Sequence, residues 1–171
     1  MKPRTTDILV VGGGMVGLAA ALAMARSQLN VTVLEQAFDV PGAVGQVQEL
    51  SKTGYDPRVS ALTCASQTFL ARLGVWPYMS AQRVSPYTDM DVWDGEGTGH
   101  IHFSSRELHE PALGHIVENR VTVAALLQRA NEIENISIET GVSVVALDDA
   151  CSDVSQGAAG RIVSCSSKWT R

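Results

Sequence analysis

Residues 8–25 run for 18 positions without a charge: Ile-Leu-Val-Val-Gly-Gly-Gly-Met-Val-Gly-Leu-Ala-Ala-Ala-Leu-Ala-Met-Ala. Lys2 and Arg4 precede the run and Ala23-Met24-Ala25 ends it, so it has the outline of a secretory signal. Its length also borders on that of a membrane-crossing helix, which needs roughly 20 apolar residues. The glycines argue against both. Inside one apolar helix Gly12, Gly13 and Gly14 would each cost about 1 kcal/mol relative to alanine. Between a strand and a helix they are useful. Ile8–Val11 is a short β-branched run of the kind found in buried parallel strands. The helix expected after the glycines carries Ala19, Ala20, Ala21 and Ala23, small enough to lie close to a sheet.

The spacing Gly12-x-Gly14-x-x-Gly17 assigns each glycine a task. Gly12 allows the tight turn out of the strand, Gly14 lets backbone approach a pyrophosphate, and Gly17 lets the helix pack against the sheet. The helix N-terminus then offers unpaired N–H groups and partial positive charge to the phosphates. Asn30 is expected to break that helix, and Val31-Thr32-Val33-Leu34 reads as a second strand ending at Glu35. Glu35 follows Gly14 by 21 residues, the spacing of an acid that hydrogen-bonds a ribose. A carboxylate there repels a 2′-phosphate, which disfavours NADP. FAD and NAD share the unit, and the fingerprint does not choose between them.

A chain of 171 residues has the length of one domain, and its 45% hydrophobic and 18% charged residues suffice for a core. The net charge of −5 argues against nucleic acid as a partner. Cys64, Cys151 and Cys165 form no CxxC pair, and no zinc spacing appears among the four histidines, so no metal site is expected. Scattered cysteines fit a reduced, cytoplasmic chain.

Farther on, residues 37–58 look like an irregular connection. Ser60–Leu73 has Leu62, Ala65, Phe69 and Leu73 at helical spacing with Gly74 as a stop. Thr88–Asp94 and His100–Phe103 are strand candidates joined by the glycine-rich loop 94–99, a hairpin. Val121–Ile133 reads as a helix, Ile136–Glu139 and Val142–Leu147 as strands, and 152–160 as a loop. A plain NAD dehydrogenase would repeat βα units here. The interruption by a helix, a hairpin and another helix favours a flavoprotein.

Several stretches resemble the FAD-dependent aromatic hydroxylases of the para-hydroxybenzoate hydroxylase class, and within it the ubiquinone-biosynthesis hydroxylases. They are Asp7–Gly17, Val33-Leu34-Glu35, Asp56-Pro57-Arg58-Val59-Ser60-Ala61-Leu62, Leu73-Gly74-Val75-Trp76, Met90-Asp91-Val92-Trp93-Asp94 and Gly114-His115-Ile116-Val117-Glu118-Asn119, spread over about residues 5–150. The resemblance implies an α/β, Rossmann-like FAD-binding fold of the GR2 type with a β-hairpin inserted from the substrate domain, incomplete at the C-terminus. Residues 1–171 would be the N-terminal portion of the FAD-binding domain, with about 80–112 belonging to the substrate-domain sheet.

It also implies roles. Gly12, Gly14 and Gly17, with Met15 and Val16 at the helix start, match the pyrophosphate loop. Glu35, followed by Gln36, matches the acid on the adenosine ribose. Arg58 matches an arginine near the flavin or its phosphates, although by itself it also reads as a surface residue. Arg120 stands at a helix start where the family has a polar contact to FAD. A cation there opposes the helix dipole, which favours a bound anion. Trp93 is expected to pack rather than touch substrate, and His100, His102, His109 and His115 gain no catalytic role. In that family NAD(P)H supplies electrons, O₂ supplies the oxygen atom, and an electron-rich aromatic ring is hydroxylated. The protein binds, orients and excludes water, so no nucleophile–base pair is expected. The implied substrate is a polyprenyl-phenol-type small molecule. Other ubiquinone-biosynthesis proteins and a peripheral contact with the inner membrane are the implied partners.

The family's later Gly-Ala-Asp-Gly and Gly-Asp-Ala motifs do not occur here, and the pattern fades after Gly160-Arg161-Ile162-Val163. We therefore expect a truncated product or the N-terminal part of a longer protein, one that binds FAD weakly and does not hydroxylate alone. An NAD-binding dehydrogenase module and a non-catalytic remnant are the alternatives.

Overall fold

The computed structural model describes residues 5–37, 54–149 and 161–167. Along the chain run β1 (Ile8–Val11), α1 (Met15–Ala25), β2 (Val31–Glu35), β3 (Val59–Thr63), α2 (Cys64–Arg72), α3 (Trp76–Ser80) and β4 (Val84–Tyr87). They are followed by β5 (Asp89–Trp93), β6 (His100–Ser104), β7 (Gly114–Glu118), α4 (Asn119–Asn131), β8 (Ile136–Thr140), β9 (Val142–Asp149) and β10 (Arg161–Ser167). The chain divides into two units, Met1–Val40 with Ala130–Arg171, and Pro41–Arg129.

The first unit is a parallel sheet in the order β1-β2-β8. β2 is paired on both edges, and its Val31, Val33 and Leu34 are buried, which is why it reads as a continuous apolar run. α1 buries Leu18, Ala21, Leu22 and Ala25, the i, i+3, i+4, i+7 face, and packs on β1 and β2. Each buried leucine contributes about 1.5–3 kcal/mol. α1 stops at Ala25, well before Asn30. The chain turns through Gln28 at φ 61, and the Asn135 amide donates to the carbonyls of Ala25 (2.9 Å) and Leu29 (2.6 Å) at the open helix end. Asn30 instead fixes the entry to β2, its N–H donating to Asp7 Oδ2 at 2.7 Å. The Arg161-Ile162-Val163 stretch opens a further strand, β10, antiparallel to β9 with an irregularity between Ser164 and Cys165. The expected loop 152–160 and most of the connection 37–58 lie outside the described residues.

The second unit holds an antiparallel sheet, β3-β7-β4, and a separate hairpin, β5–β6. The helix expected from Ser60 begins only at Cys64. Residues 59–63 pair with β7 instead, and Thr63 caps the helix, its Oγ1 accepting the Ser66 N–H at 3.2 Å. The stop at Gly74 (φ 78) is realised. The Val75 N–H bonds Leu70 O and the Gly74 N–H bonds Ala71 O, a Schellman closure with Val75 and Leu70 buried. β4 and β7 were not foreseen. β4 carries Pro86, which an edge strand tolerates because its missing N–H faces no partner strand. The 8–25 stretch is thus a strand, a glycine loop and an 11-residue helix. Among the described residues no helix is long and apolar enough to cross a membrane.

Candidate functional site

Two groups of residues form, one in each unit. In the first, β1 delivers the chain to Gly12, whose φ of 104 is the left-handed region that glycine adopts without strain. The Gly12 N–H bonds Leu34 O at 2.8 Å, tying the turn to β2. Gly17 is pressed against the Gly12 carbonyl and stands near Val10, so that any Cβ would overlap backbone. Gly14 is different. Its φ of −77 is open to any residue, and a Cβ there would meet nothing within 4 Å. No backbone demand explains the glycine, so the open space beside it is the feature to account for.

α1 starts on that space. The first helical bond is from Leu18 N–H to Gly14 O at 3.0 Å, which leaves the N–H groups of Met15, Val16 and Gly17 without an intrahelical partner. No side chain caps the end and no acid lies in the first turn, so its partial positive charge is not offset locally. Val16 is 84% exposed. Glu35, at the end of β2, accepts the Gly13 N–H on Oε2 (2.6 Å) and the Ala37 N–H on Oε1 (2.8 Å). Each carboxylate oxygen keeps one further lone-pair direction for a hydroxyl. Gln36 beside it is exposed. Gly13 was not singled out from the sequence, yet its N–H aims the carboxylate, and a Cβ there would stand 3.1 Å from Glu35. An anion at the helix end and a vicinal diol at Glu35 would both find donors and acceptors in place, so these residues fit the adenosine diphosphate part of a dinucleotide.

In the second unit, Arg58 is exposed on a backbone fixed at both ends. Its N–H donates to Asp56 Oδ1 (2.8 Å) and its carbonyl accepts the Asn119 N–H (2.9 Å). Arg120 turns to Glu118. Its Nε donates to Glu118 Oε2 at 2.8 Å, Nη2 stands 2.6 Å from the same oxygen, and Nη2 also donates to the Gly54 carbonyl. Glu118 thus supplies this cation at a helix start with an anion from within the chain. Sequence reading passed over Glu118, although an acid just ahead of Asn-Arg at a helix start is a visible signal. Arg83 Nε lies 3.0 Å from Glu118 Oε1, an ion pair without hydrogen-bond alignment, and its guanidinium covers the Tyr55 ring at 4.6 Å. Burial works to raise the Glu118 carboxyl and is the largest single influence. The Asp56 N–H, Arg120 and Arg83 together outweigh it and hold the group below its ordinary value.

The hairpin has one polar and one apolar face. Met90, Val92, Ile101 and Phe103 share the exposed apolar face. On the other, Asp91 Oδ1 stands 3.0 Å from His100 Nε2 and 2.9 Å from His102 Nδ1, while His102 Nε2 stands 3.5 Å from Asp89. Trp93 stacks on His100 at 5.1 Å and is 68% exposed. A ring with a carboxylate at each nitrogen donates at both only as imidazolium. The Asp91 hydrogen bond accordingly raises the His102 pKa above 6.5, against partial desolvation. Hydrogen bonds from His102 and His100 hold Asp91 below 3.8. His102 then supports the hairpin below its unfolded value, and this support is lost as pH rises through the raised folded value. Asp91 supports it above the carboxylate range and loses that support as pH falls through its lowered value. An NMR titration should place the His102 midpoint above 6.5 and return it toward 6.5 in Asp91→Asn. An unmoved midpoint would contradict the pairing.

Residues 7–75 match the family described as FAD dependent oxidoreductase. The 3-demethoxyubiquinol 3-hydroxylase of Escherichia coli (strain K12) is 37% identical over 86% of this chain and 36% of its own length. A ubiquinone hydroxylase of Rhodospirillum rubrum is 31% identical over 84% of this chain and 31% of its own. The chain thus spans about a third of the curated relatives it matches. Among solved structures, aklavinone-11 hydroxylase with FAD and aklavinone superposes with a TM-score of 0.65 at 19% identity, over 98% of this chain and 30% of that one. The p-nitrophenol 4-monooxygenase of Pseudomonas putida DLL-E4 gives 0.62 at 18%, over 86% and 34%. These two likenesses bear on the fold. The chain thus has a Rossmann-like α/β fold, is similar over residues 7–75 to the FAD-dependent oxidoreductases, and counts ubiquinone hydroxylases among the proteins it resembles in sequence.

Proposed function

We propose that this chain is the FAD-binding part of a monooxygenase that hydroxylates an aromatic ring of a polyprenyl-phenol-type ubiquinone precursor, with NAD(P)H as reductant. The observation that carries the proposal is the glycine loop of the first unit, where an unoffset helix N-terminus opens beside Gly14 and the Gly13 N–H holds Glu35 in place. The similarity to the Escherichia coli hydroxylase supports the substrate class. The N–H groups of Met15, Val16 and Gly17 would hold the pyrophosphate and Glu35 the adenosine ribose, with Gln36 beside it. The family resemblance is what assigns Arg58 and Arg120 to the FAD contacts as well. When bound, FAD supplies the redox and oxygen-activating chemistry of the reaction. The chain's own residues bind and orient it. A polyprenyl substrate resides in a membrane, so we place the reaction at the membrane surface, reached by peripheral contact and in company with other proteins of the same biosynthesis.

Titrating the purified chain with FAD and following flavin fluorescence tests this reading. FAD is expected to bind, ADP to compete and FMN, which lacks the adenosine half, not to compete. Glu35→Gln is expected to weaken FAD about 10- to 100-fold, the worth of one hydrogen bond to a charged group. A chain that takes up NADH and ignores FAD would instead support a dehydrogenase module.

A further inference from the structure

We infer that the open face of the β3-β7-β4 sheet binds a neutral aromatic ring bearing a hydroxyl, and that this hydroxyl donates to Glu118. The site lies wholly within the second unit and needs no bound FAD. The phenol-type substrate proposed above is one source of such a ring, and that identification alone rests on the reading given there.

The sheet has two unlike faces. Val117 is buried on one of them. The register places Val59, Glu118, Ile116 and Ser85 on the other, because Val59 pairs with Glu118, Ser85 pairs with Ile116, and side chains alternate along β7. Val59 is 49% exposed there and Ile116 37%, so among the described residues nothing closes over them. They border a cavity of about 330 Å³ whose rim is completed by Tyr55, Gln82 and Arg83. That volume lies at the small end of ligand clefts, which run from roughly 300 to 1,000 Å³, and suits a single ring.

The walls select the ring. Val59 and Ile116 offer apolar sides. Tyr55 offers an aromatic one, with the Arg83 guanidinium 4.6 Å from its centroid. The polar end holds two acceptors. Gln82 Oε1 and Glu118 Oε1 are both buried, and neither has a hydrogen-bond partner among the described residues. The Glu118 side chain is 5% exposed, and a buried acceptor without a donor is costly. Arg83 Nε answers the charge of Glu118 Oε1 from 3.0 Å but not its hydrogen-bonding capacity. What the oxygen lacks is therefore a donor. A carboxylate in the cavity would face Glu118, and an ammonium would face Arg83, so the donor that fits is neutral. A phenol O–H comes with a flat apolar body, and its bond to a carboxylate is of the stronger, charge-assisted kind.

Titrating the 171-residue chain with phenol, followed by NMR, tests the site. Saturable shifts are expected at Val59, Gln82 and Ile116, with a Kd on the order of 1 mM, as suits so small a ligand. Toluene, which lacks the hydroxyl, is expected to bind about tenfold more weakly, the worth of one hydrogen bond to a charged group. Benzoate and benzylammonium are expected to bind at least as weakly as toluene. Val59→Phe fills the cavity from an exposed strand position that accepts an aromatic side chain, and should abolish the phenol shifts while the circular dichroism spectrum stays that of the parent. Glu118→Gln is expected to weaken phenol about tenfold. Should it not fold, Gln82→Met removes the other acceptor at similar volume and is expected to cost about threefold. Shifts that never saturate, benzoate binding as tightly as phenol, or unchanged binding in Val59→Phe overturn the proposal. Two results uphold it and separate the sources: 2-prenylphenol binding more tightly than phenol assigns the ring to a prenylated substrate, and weaker binding assigns it to a small free phenol. A chain that binds phenol but no FAD keeps this site and overturns the flavin reading, and one that binds FAD but no phenol does the reverse.

Discussion

Gly17→Ala is expected to destabilise the first unit by about 2–3 kcal/mol, while Gly14→Ala, three positions away in the same motif, is expected to leave stability nearly unchanged. At Gly17 the new methyl would overlap the carbonyl of Gly12, and Val10 stands 3.3 Å away on the other side. Both obstacles belong to β1 and its turn, so the helix would have to lift off the sheet. Overpacking typically costs roughly 1–3 kcal/mol and occasionally more, and a methyl driven into fixed backbone belongs at the upper end or beyond it, about 3–4 kcal/mol. The gain in helix propensity, about 1 kcal/mol at most, offsets only part of it. For a chain of this size that is a fall in Tm of roughly 5–10 °C, readable by circular dichroism. At Gly14 nothing lies within 4 Å and φ is −77. Its alanine should fold with a Tm within about 2 °C of the parent and yet bind FAD at least tenfold more weakly, because the methyl enters the space proposed for the pyrophosphate. The reverse order of stabilities would refute the division of labour between the two glycines.

Removing Glu118 is the second large effect. Glu118→Ala leaves Arg83 and Arg120 facing each other's charge in a site that excludes most water. Breaking a buried pair from one side costs about 3–5 kcal/mol. The two arginine side chains are 22% and 19% exposed, which lets water screen part of the loss and puts the expectation near the lower end, about 3 kcal/mol. The effect should also depend on pH. The Glu118 carboxyl is held below its ordinary 4.5, so its stabilisation is present above that value and disappears as pH falls through the lowered one. Denaturant titrations should therefore separate the parent from Glu118→Ala at pH 7 and bring them together in acid. A constant gap across that range would show the loss to be one of packing and not of charge.

What could be read in the sequence divides by the reach of the interaction. The first β–α–β passage was legible because its causes are local. A positive φ at Gly12, an uncapped helix start and an acid 21 residues after Gly14 all appear within thirty residues. The hairpin and the stop at Gly74 were legible for the same reason. The sheet β3-β7-β4 was not, because β3 finds its partner more than fifty residues later. Its Ser-Ala-Leu-Thr also satisfies a helical spacing as well as an alternating one. The start of the helix was misplaced by four residues because Thr63, its cap, looked like interior. Glu118 escaped because its meaning lies in Asp56, 62 positions earlier, and in Arg83. Arg120 was noticed as a cation opposing a helix dipole, and its pairing with Glu118, two residues earlier, shows only once the backbone is folded.

The parallel pairing of β2 with β8 has a consequence for how the chain is made. The second unit is continuous, Pro41–Arg129, whereas the first is closed by a strand that begins at Ile136. During synthesis at roughly 5–20 residues per second, the apolar edge of β2 waits some 5–20 seconds for its neighbour. All of the second unit emerges in that interval and can fold first. β1, α1 and β2 are then made before the second unit and enclosed after it, so the edge of β2 is where a nascent chain would need a chaperone's cover.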